Sequence, residues 1–197
     1  MPRPSLKAER TEAILDAVER VVIRDGISGV TLEKIAEEAG MRRTLLRHNI
    51  GNREQLIEAF LDRFFVKSDH QTQQMLDYLP EENRVTVLLD LLFDAEYANN
   101  QLTLVALAVT FAATSDTNIQ HRMQHWNANF IKTISGQLRL SFKGASEKAC
   151  HEVATGLTGI YCNCESLAPL GDISEIRTAS KRAAKRLVST LEKCDEQ

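Results

Sequence analysis

The chain has 197 residues, of which 26% are charged and 43% apolar, with four prolines and nine glycines; this is an ordinary globular composition, large enough for a well-buried core and with little room for long linkers. Its net charge of −3 argues against a protein coated in nucleic acid, and its longest apolar run, Leu102 to Ala113, falls short of the roughly 18–20 residues of a membrane span. Four cysteines do not make a secreted disulfide framework, and the N-terminus has no apolar core of signal-peptide type, so a reducing cytoplasm is the expected compartment.

Every long segment reads as helix, with no alternating strand pattern, internal repeat or low-complexity tract. Met1 to Lys7, with Pro2 and Pro4, reads as a loose basic arm. Helix 1 is expected over about Ala8–Arg24, with Ile14, Leu15, Val18, Val21 and Val22 on one face, and Asp25-Gly26 stops it. Helix 2 starts after Thr31, a good N-cap, and carries Leu32, Ile35, Ala36 and Ala39 on its buried side. Gly40 supplies a tight turn, and helix 3 covers about Arg42–His48, with Leu45 and Leu46 towards the core. Helix 4 opens at Asn52, where Gln55 completes a capping-box pair, and no break appears before Pro80.

Residues 81–97 read as helix 5, apolar nearly all round, and 101–114 as helix 6. Ser115-Asp116 breaks the chain ahead of helix 7, about 117–141, whose stripe is Ile119, Met123, Trp126, Phe130, Ile134 and Leu138. Helix 8 is expected over about 146–167. Asp172 with Glu175 caps helix 9, about 173–193, with a stripe of Ile176, Ala179 or Ala183, Leu187 and Leu191. Arg177, Lys181, Arg182, Lys185 and Arg186 read as its solvated side.

Charge is uneven along this frame. Residues 1–67 hold twelve Lys/Arg against eleven Asp/Glu, and residues 68–197 twelve against sixteen. Between Gly40 and Arg53 there is no acidic residue, while Arg42, Arg43, Arg47 and His48 fall on or beside one short helix. A helix, a glycine turn and a basic helix make a helix-turn-helix pattern, whose second helix enters the DNA major groove. Arg42 and Arg43 at a helix N-terminus oppose the helix dipole. A sequence selected for stability alone would avoid them, and anionic DNA offsets the cost.

These residues resemble the TetR family of bacterial transcriptional regulators over roughly Arg10 to Leu61. The likeness rests on Arg10 and Ile14-Leu15-Asp16-Ala17, Asp25-Gly26, Val30-Thr31, Ile35-Ala36-Glu37-Glu38-Ala39-Gly40-Met41, Leu45-Leu46, His48, and Asn52-Arg53-Glu54-Gln55-Leu56. The resemblance implies an all-α fold of about nine helices. Residues 1–51 would be an N-terminal three-helix DNA-binding domain, helix 4 (52–78) a connector able to act as a lever, and 52–197 a C-terminal ligand-binding and dimerisation domain. It further implies that Thr31, Arg47, His48 and Arg53 contact phosphates and that Arg42, Arg43 and Thr44 read bases. This chain departs from the family where Arg42 replaces a usual Ser or Thr cap, Arg47 a Tyr, Ile50 an aromatic and Arg53 a Lys. Arginine at 47 also has the geometry to read guanine.

Family members bind an effector between helices 4 and 8. Here Asp90, Asp94 and Tyr97 share the expected helix 5, and Trp126 and Phe130 offer an aromatic wall. Two readings stand: an acidic face for a cationic or amine-bearing effector, or carboxylates satisfied by Arg122, His121 or His125 or by water. His121 and His125 have metal-sharing spacing but no evident third ligand, so no metal or cofactor is expected. Cys150, Cys162 and Cys164 read as small buried hydrophobes or as a redox sensor. Ala149, Ala154, Gly156 and Gly159 suit helix 8 to close packing.

The expected function is a ligand-responsive regulator, most simply a repressor. It would bind a palindromic double-stranded operator as a homodimer through helices 8 and 9 and leave it on binding a small-molecule effector, with no membrane partner. The alternatives are an activator of the same fold, an all-α enzyme, for which no nucleophile–base pair or metal cluster is visible, or a helical adaptor.

Overall fold

The computed structural model describes residues 6–192; the basic arm proposed for Met1 to Lys7 lies largely outside them. Among the described residues there are nine α-helices and no strand. The chain divides into two compact units: residues up to Asp69 together with Leu104–Met123, and His70–Thr103 together with the residues from Gln124 onward.

In the first unit, α1 (Leu6–Asp25) buries Ile14, Leu15, Ala17, Val18, Val21 and Val22 at helical spacing. A 3-10 turn over Ile27–Gly29 leads to α2 (Leu32–Glu38). Thr31 caps α2 by accepting from the Lys34 N–H at 3.2 Å, which is worth about 1 kcal/mol. The helix closes in a Schellman motif: the Gly40 N–H reaches the Glu37 carbonyl at 3.1 Å, and the Met41 N–H the Ala36 carbonyl at 2.8 Å. Gly40, at φ +61, is the residue that permits it. Helix α3 (Arg43–Ile50) then buries Leu46 completely. Asn52 and Gln55 form the reciprocal capping box that opens α4 (Arg53–Asp77): Gln55 Oε1 accepts from the Asn52 N–H at 3.0 Å and Asn52 Oδ1 from the Gln55 N–H at 2.9 Å. Leu56, Ile57, Phe60, Leu61 and Phe64 of α4 are buried, each side chain contributing about 1.5–3 kcal/mol of apolar transfer.

The second unit contains α5 (Arg84–Leu92), α8 (Glu147–Ser166) and α9 (Ser174–Glu192), while α6 (Asn100–Ala112) and α7 (Thr117–Ser141) each contribute residues to both units. Its core includes Leu88, Ile134, Leu138, Leu157 and Leu191, all essentially inaccessible. Gly156 lets α8 approach α9, since a Cβ there would lie 2.6 Å from Leu187 Cδ2.

Three expectations need correction. Helix α5 is much shorter than 81–97. It starts after Asn83, at φ +54, and Asp94 ends the region by accepting from the Glu96 N–H at 2.9 Å. Asp94 and Tyr97 therefore lie beyond the helix rather than on a face shared with Asp90. The buried stripe of α9 is Arg177, Ala184, Val188 and Leu191, whereas Ile176, Ala179 and Ala183 are exposed. Nor is the basic run of α9 simply solvated. Arg177 is 8% exposed and donates to Glu165. Lys181 and Lys185 lie 3.1 and 3.8 Å from Asp90 Oδ1. Arg182, Lys185 and Arg186 of that run are exposed as expected, Lys185 while still within reach of Asp90.

Candidate nucleic-acid interface

The Schellman turn at Gly40–Met41 precedes α3 and the Asn52–Gln55 capping box follows it, so short-range bonds fix the turns on both sides of the basic helix. Arg42, Arg43, Thr44, Arg47 and His48 are all exposed. Arg42 occupies the N-cap position and supplies no side-chain cap bond; the Leu45 and Leu46 N–H groups are taken by its backbone carbonyl at 2.9 and 3.1 Å. On the last turn, the Asn49 amide donates to the Leu45 carbonyl at 2.7 Å. The result is a short helix with one buried leucine, a cationic outer face and no acid of its own.

Arg43 is not solitary. Its Nη1 sits 2.6 Å from Glu33 Oε1 on the first turn of α2, with both side chains more than half exposed. Arg53 is more deeply committed: Nε donates to the Val30 carbonyl at 2.7 Å and Nη2 to the Ile27 carbonyl at 3.2 Å. The first residue of α4 thus ties down the loop that carries Thr31. The guanidinium has further N–H donors and its full charge beyond those two bonds.

Three ion-pair clusters hold the helices behind this surface. Glu38 accepts from Arg20 at 2.7 Å and from Arg24 at 3.1 Å; the Arg20 bond, then the Arg24 bond, hold its carboxyl below the usual carboxylate range. Arg63, with its side chain only 9% exposed, reaches Asp16 and Glu19 at 2.7 Å and Glu12 at 3.2 Å, and Lys67 joins Glu19 at 3.1 Å. Arg122 bonds Glu58 at 2.9 Å and Asp62 at 2.6 Å and lies 4.8 Å above the Phe65 ring. Asn118 donates to Glu58 at 2.8 Å. Sequence reasoning missed these hubs. The only available signal was the acidic row Glu12, Asp16, Glu19 on α1.

The residues considered for an effector are more dispersed than expected. Asp90 faces the two lysines of α9 rather than Arg122, His121 or His125. Asp94 caps its own turn, and Tyr97 is 53% exposed. Phe130 packs 5.9 Å from the ring of Tyr161, which also meets Phe93 edge-on at 6.3 Å. Burial, with the nearby Glu165 charge, raises the Tyr161 phenol well above its usual value, so it stays protonated. Trp126 is half-buried on α7. His121 and His125 are exposed, and His125 Nε2 lies 3.0 Å from the Asn129 amide. Cys150 and Cys164 are buried and Cys162 exposed, none of them in a disulfide; burial pushes the Cys164 thiol up, which disfavours the reactive thiolate. No helix among the described residues is long and apolar enough to cross a membrane.

Residues 14–60, from the middle of α1 into α4, match the family model for bacterial regulatory proteins of the tetR family. The chain is 31% identical over 167 residues to the HTH-type transcriptional regulator BetI of Rhizobium meliloti, covering 82% of this chain and 80% of that one. It is 25% identical over 142 residues to the HTH-type transcriptional regulator PksA of Bacillus subtilis, covering 71% of this chain and 66% of the relative. The crystal structure of a TetR transcription regulator from Haloarcula marismortui shares the fold, with a TM-score of 0.73 at 18% identity over 92% of this chain and 97% of that one.

Proposed function

We propose that this chain, which belongs to the TetR family of bacterial regulatory proteins and is a DNA-binding transcriptional regulator rather than an enzyme, represses its target genes by binding a palindromic operator as a homodimer that a small-molecule effector releases. One observation carries the reading. The exposed set Arg42, Arg43, Thr44, Arg47 and His48 lies on or beside a helix that follows the Schellman turn at Gly40–Met41 and precedes the Asn52–Gln55 capping box. Residues 1–51 form the DNA-binding domain, 52–78 the connector and lever, and 52–197 the effector and dimerisation domain.

In this reading the α3 helices of two protomers enter successive major grooves. Thr31, Arg47 and His48 seat phosphates, Arg42, Arg43 and Thr44 reach base edges, and Arg53 adds charge to the phosphate seat while its two bonds to Val30 and Ile27 hold the loop. The exposed small and apolar residues Ile176, Ala179 and Ala183 on α9, with exposed Gly159 on α8, support a dimer built on those two helices. The effector site uses Trp126 and Phe130 as its apolar wall and Asp94 and Tyr97 as its polar contacts; Asp90, matched by two lysines, adds no net negative charge. The effector must favour the non-DNA-binding state by a coupling of about 1–3 kcal/mol or more.

The test is binding of the full chain to DNA fragments from the regions flanking its gene, titrated at several salt concentrations beside random duplex. Tight, steeply salt-dependent binding to one fragment is expected. Equally weak binding to random DNA, with Arg43→Ala changing nothing, overturns the reading. Transcription from the bound promoter should fall when the chain is added; a rise makes it an activator. An unaltered effector response in Asp94→Asn removes Asp94 from the effector site.

A further inference from the structure

We propose that Glu33 is a positioning residue for sequence readout: its carboxylate holds the Arg43 guanidinium ready for one guanine of each half-site, so that Glu33 sets specificity at that base pair without contacting it. The inference rests on the reading above that Arg43 reaches base edges. Its own ground is the 2.6 Å contact between Arg43 Nη1 and Glu33 Oε1, which bridges the first turn of α2 and the first turn of α3.

Glu33 stands two residues after Thr31, at the edge where phosphates are seated, and its side chain is 60% exposed. A carboxylate there repels DNA within a Debye length of about 8–10 Å. Two other acids of this region are differently employed. Glu38 is bound by Arg20 and Arg24, and Asp25 by Arg24 and Lys34, in pairs that join α1 to α2. Of these three acids, Glu33 is the one paired to a residue of the recognition helix. Near the N-terminus of α2 a carboxylate also suits the helix dipole, but that does not require Arg43 as a partner.

What the pair changes is the freedom of Arg43. An unpaired arginine samples many rotamers, and reading guanine requires the guanidinium plane to meet O6 and N7 through two parallel N–H donors. With Nη1 taken by Glu33, the edge formed by Nε and Nη2 is left for the base. A fixed fork fits one base in one register, and a free arginine accepts phosphates or neighbouring bases instead.

The experiment selects bound sequences from a randomised duplex pool with the full-length wild type, Glu33→Ala, Glu33→Gln and Arg43→Ala, and measures affinity for a scrambled duplex and the thermal midpoint of each. Wild type is expected to enrich a palindrome with guanine opposite Arg43. Arg43→Ala should lose preference at that position. Glu33→Ala should reduce preference at the same position by about fivefold, with the other positions intact, Glu33→Gln falling between. Because a negative charge is gone, affinity for the scrambled duplex should hold or rise, while the midpoint falls by no more than about 1–2 °C, the helix-dipole share of one exposed carboxylate. A structural role would instead lower the midpoint by about 5 °C or more and weaken all positions together, and this result overturns the proposal. So does Glu33→Ala that binds the operator more tightly with its preferences intact, since Glu33 would then merely compete with DNA. If the wild type enriches no sequence, the operator reading itself fails; if Arg43→Ala flattens a position that Glu33→Ala leaves untouched, only the Glu33 inference fails.

Discussion

Arg63→Met gives the sharpest test of how α4 is held on α1. The arginine side chain is 9% exposed and reaches three carboxylates, of which Glu19 is nearly as buried at 11% while Glu12 and Asp16 are 64% and 56% exposed. Methionine keeps the unbranched stem and the helix propensity but removes the charge. Glu12 and Asp16 then turn to water at little cost. Glu19 keeps only Lys67, at 3.1 Å. Breaking a buried pair by removing one partner costs about 3–5 kcal/mol; with Lys67 still in place, about 2–4 kcal/mol is the expected loss. For a chain of this size that lowers the thermal midpoint by about 5–12 °C, a large share of a stability of about 5–15 kcal/mol. The assay is thermal unfolding followed by circular dichroism at fixed protein concentration, because the midpoint of a self-associating protein depends on concentration. Adding Glu19→Leu to Arg63→Met should recover at least half of the loss, because no buried charge is then left unpaired. A loss under about 1 kcal/mol, or a double variant worse than the single one, refutes the reasoning.

Gly51→Ala should destabilise by about 1–3 kcal/mol. The residue sits at φ +89, and a Cβ would fall 2.0 Å from Gln55 Oε1, expelling it from the capping box; an unchanged thermal midpoint contradicts this. Glu38→Gln should flatten the acid limb of the stability curve. Arg20 and Arg24 hold the Glu38 carboxyl below its ordinary value of 4.5 in the folded chain, so the unfolded chain takes up the proton first. The stabilisation is therefore full above that value and lost as pH falls through the lower folded one; parallel acid titrations of variant and wild type would contradict the pairing. Arg47→Ala should reduce the slope of log K against log salt by about 1.8 for a dimer losing one phosphate contact in each half-site. An unaltered slope with a flattened base preference would make Arg47 a reader instead.

Local chemistry was legible in the sequence where it is self-contained. Thr31 with Lys34, the turn in which Gly40 bonds Glu37 and Met41 bonds Ala36, and Asn52 with Gln55 act within a few residues, and all three form as their spacing implies. Apart from the end of α5, which a local turn sets, the failures concern interactions whose partners lie on different helices. Helix α5 looked longer because its apolar run carries no Gly or Pro; the stop comes from an Asp94 turn that competes with helix. The stripe on α9 was misread because Arg177 was assigned to water, when Glu165 on α8 makes its burial tolerable. The acids of α1 were visible as a row, but only α4 reveals Arg63 as their shared partner. At the interface the arginines were evident as a set. That Arg43 is paired to Glu33 and Arg53 to the Val30 and Ile27 carbonyls depends on the angle between helices, which no short pattern encodes.

Arg42 separates stability from function most cleanly. It holds the N-cap position of α3 with extended backbone, φ −72 and ψ 136, and no side-chain bond to the first turn. Serine fits that backbone and offers a hydroxyl acceptor to the Thr44 or Leu45 N–H. The cap contributes about 1 kcal/mol, and removing a positive charge from the helix N-terminus adds about 0.3 kcal/mol, the low end of the range for an exposed site. Arg42→Ser should therefore raise the thermal midpoint by about 2–5 °C. A contact to phosphate or base lost from each half-site should at the same time weaken operator binding by roughly tenfold or more. The two measurements must move in opposite directions, as expected when a binding surface is maintained against a local stability rule. A more stable variant with undiminished affinity removes Arg42 from the DNA contacts, whereas a less stable one shows that the arginine stem packs on the turn and that the cap deficit inferred from its sequence position is illusory.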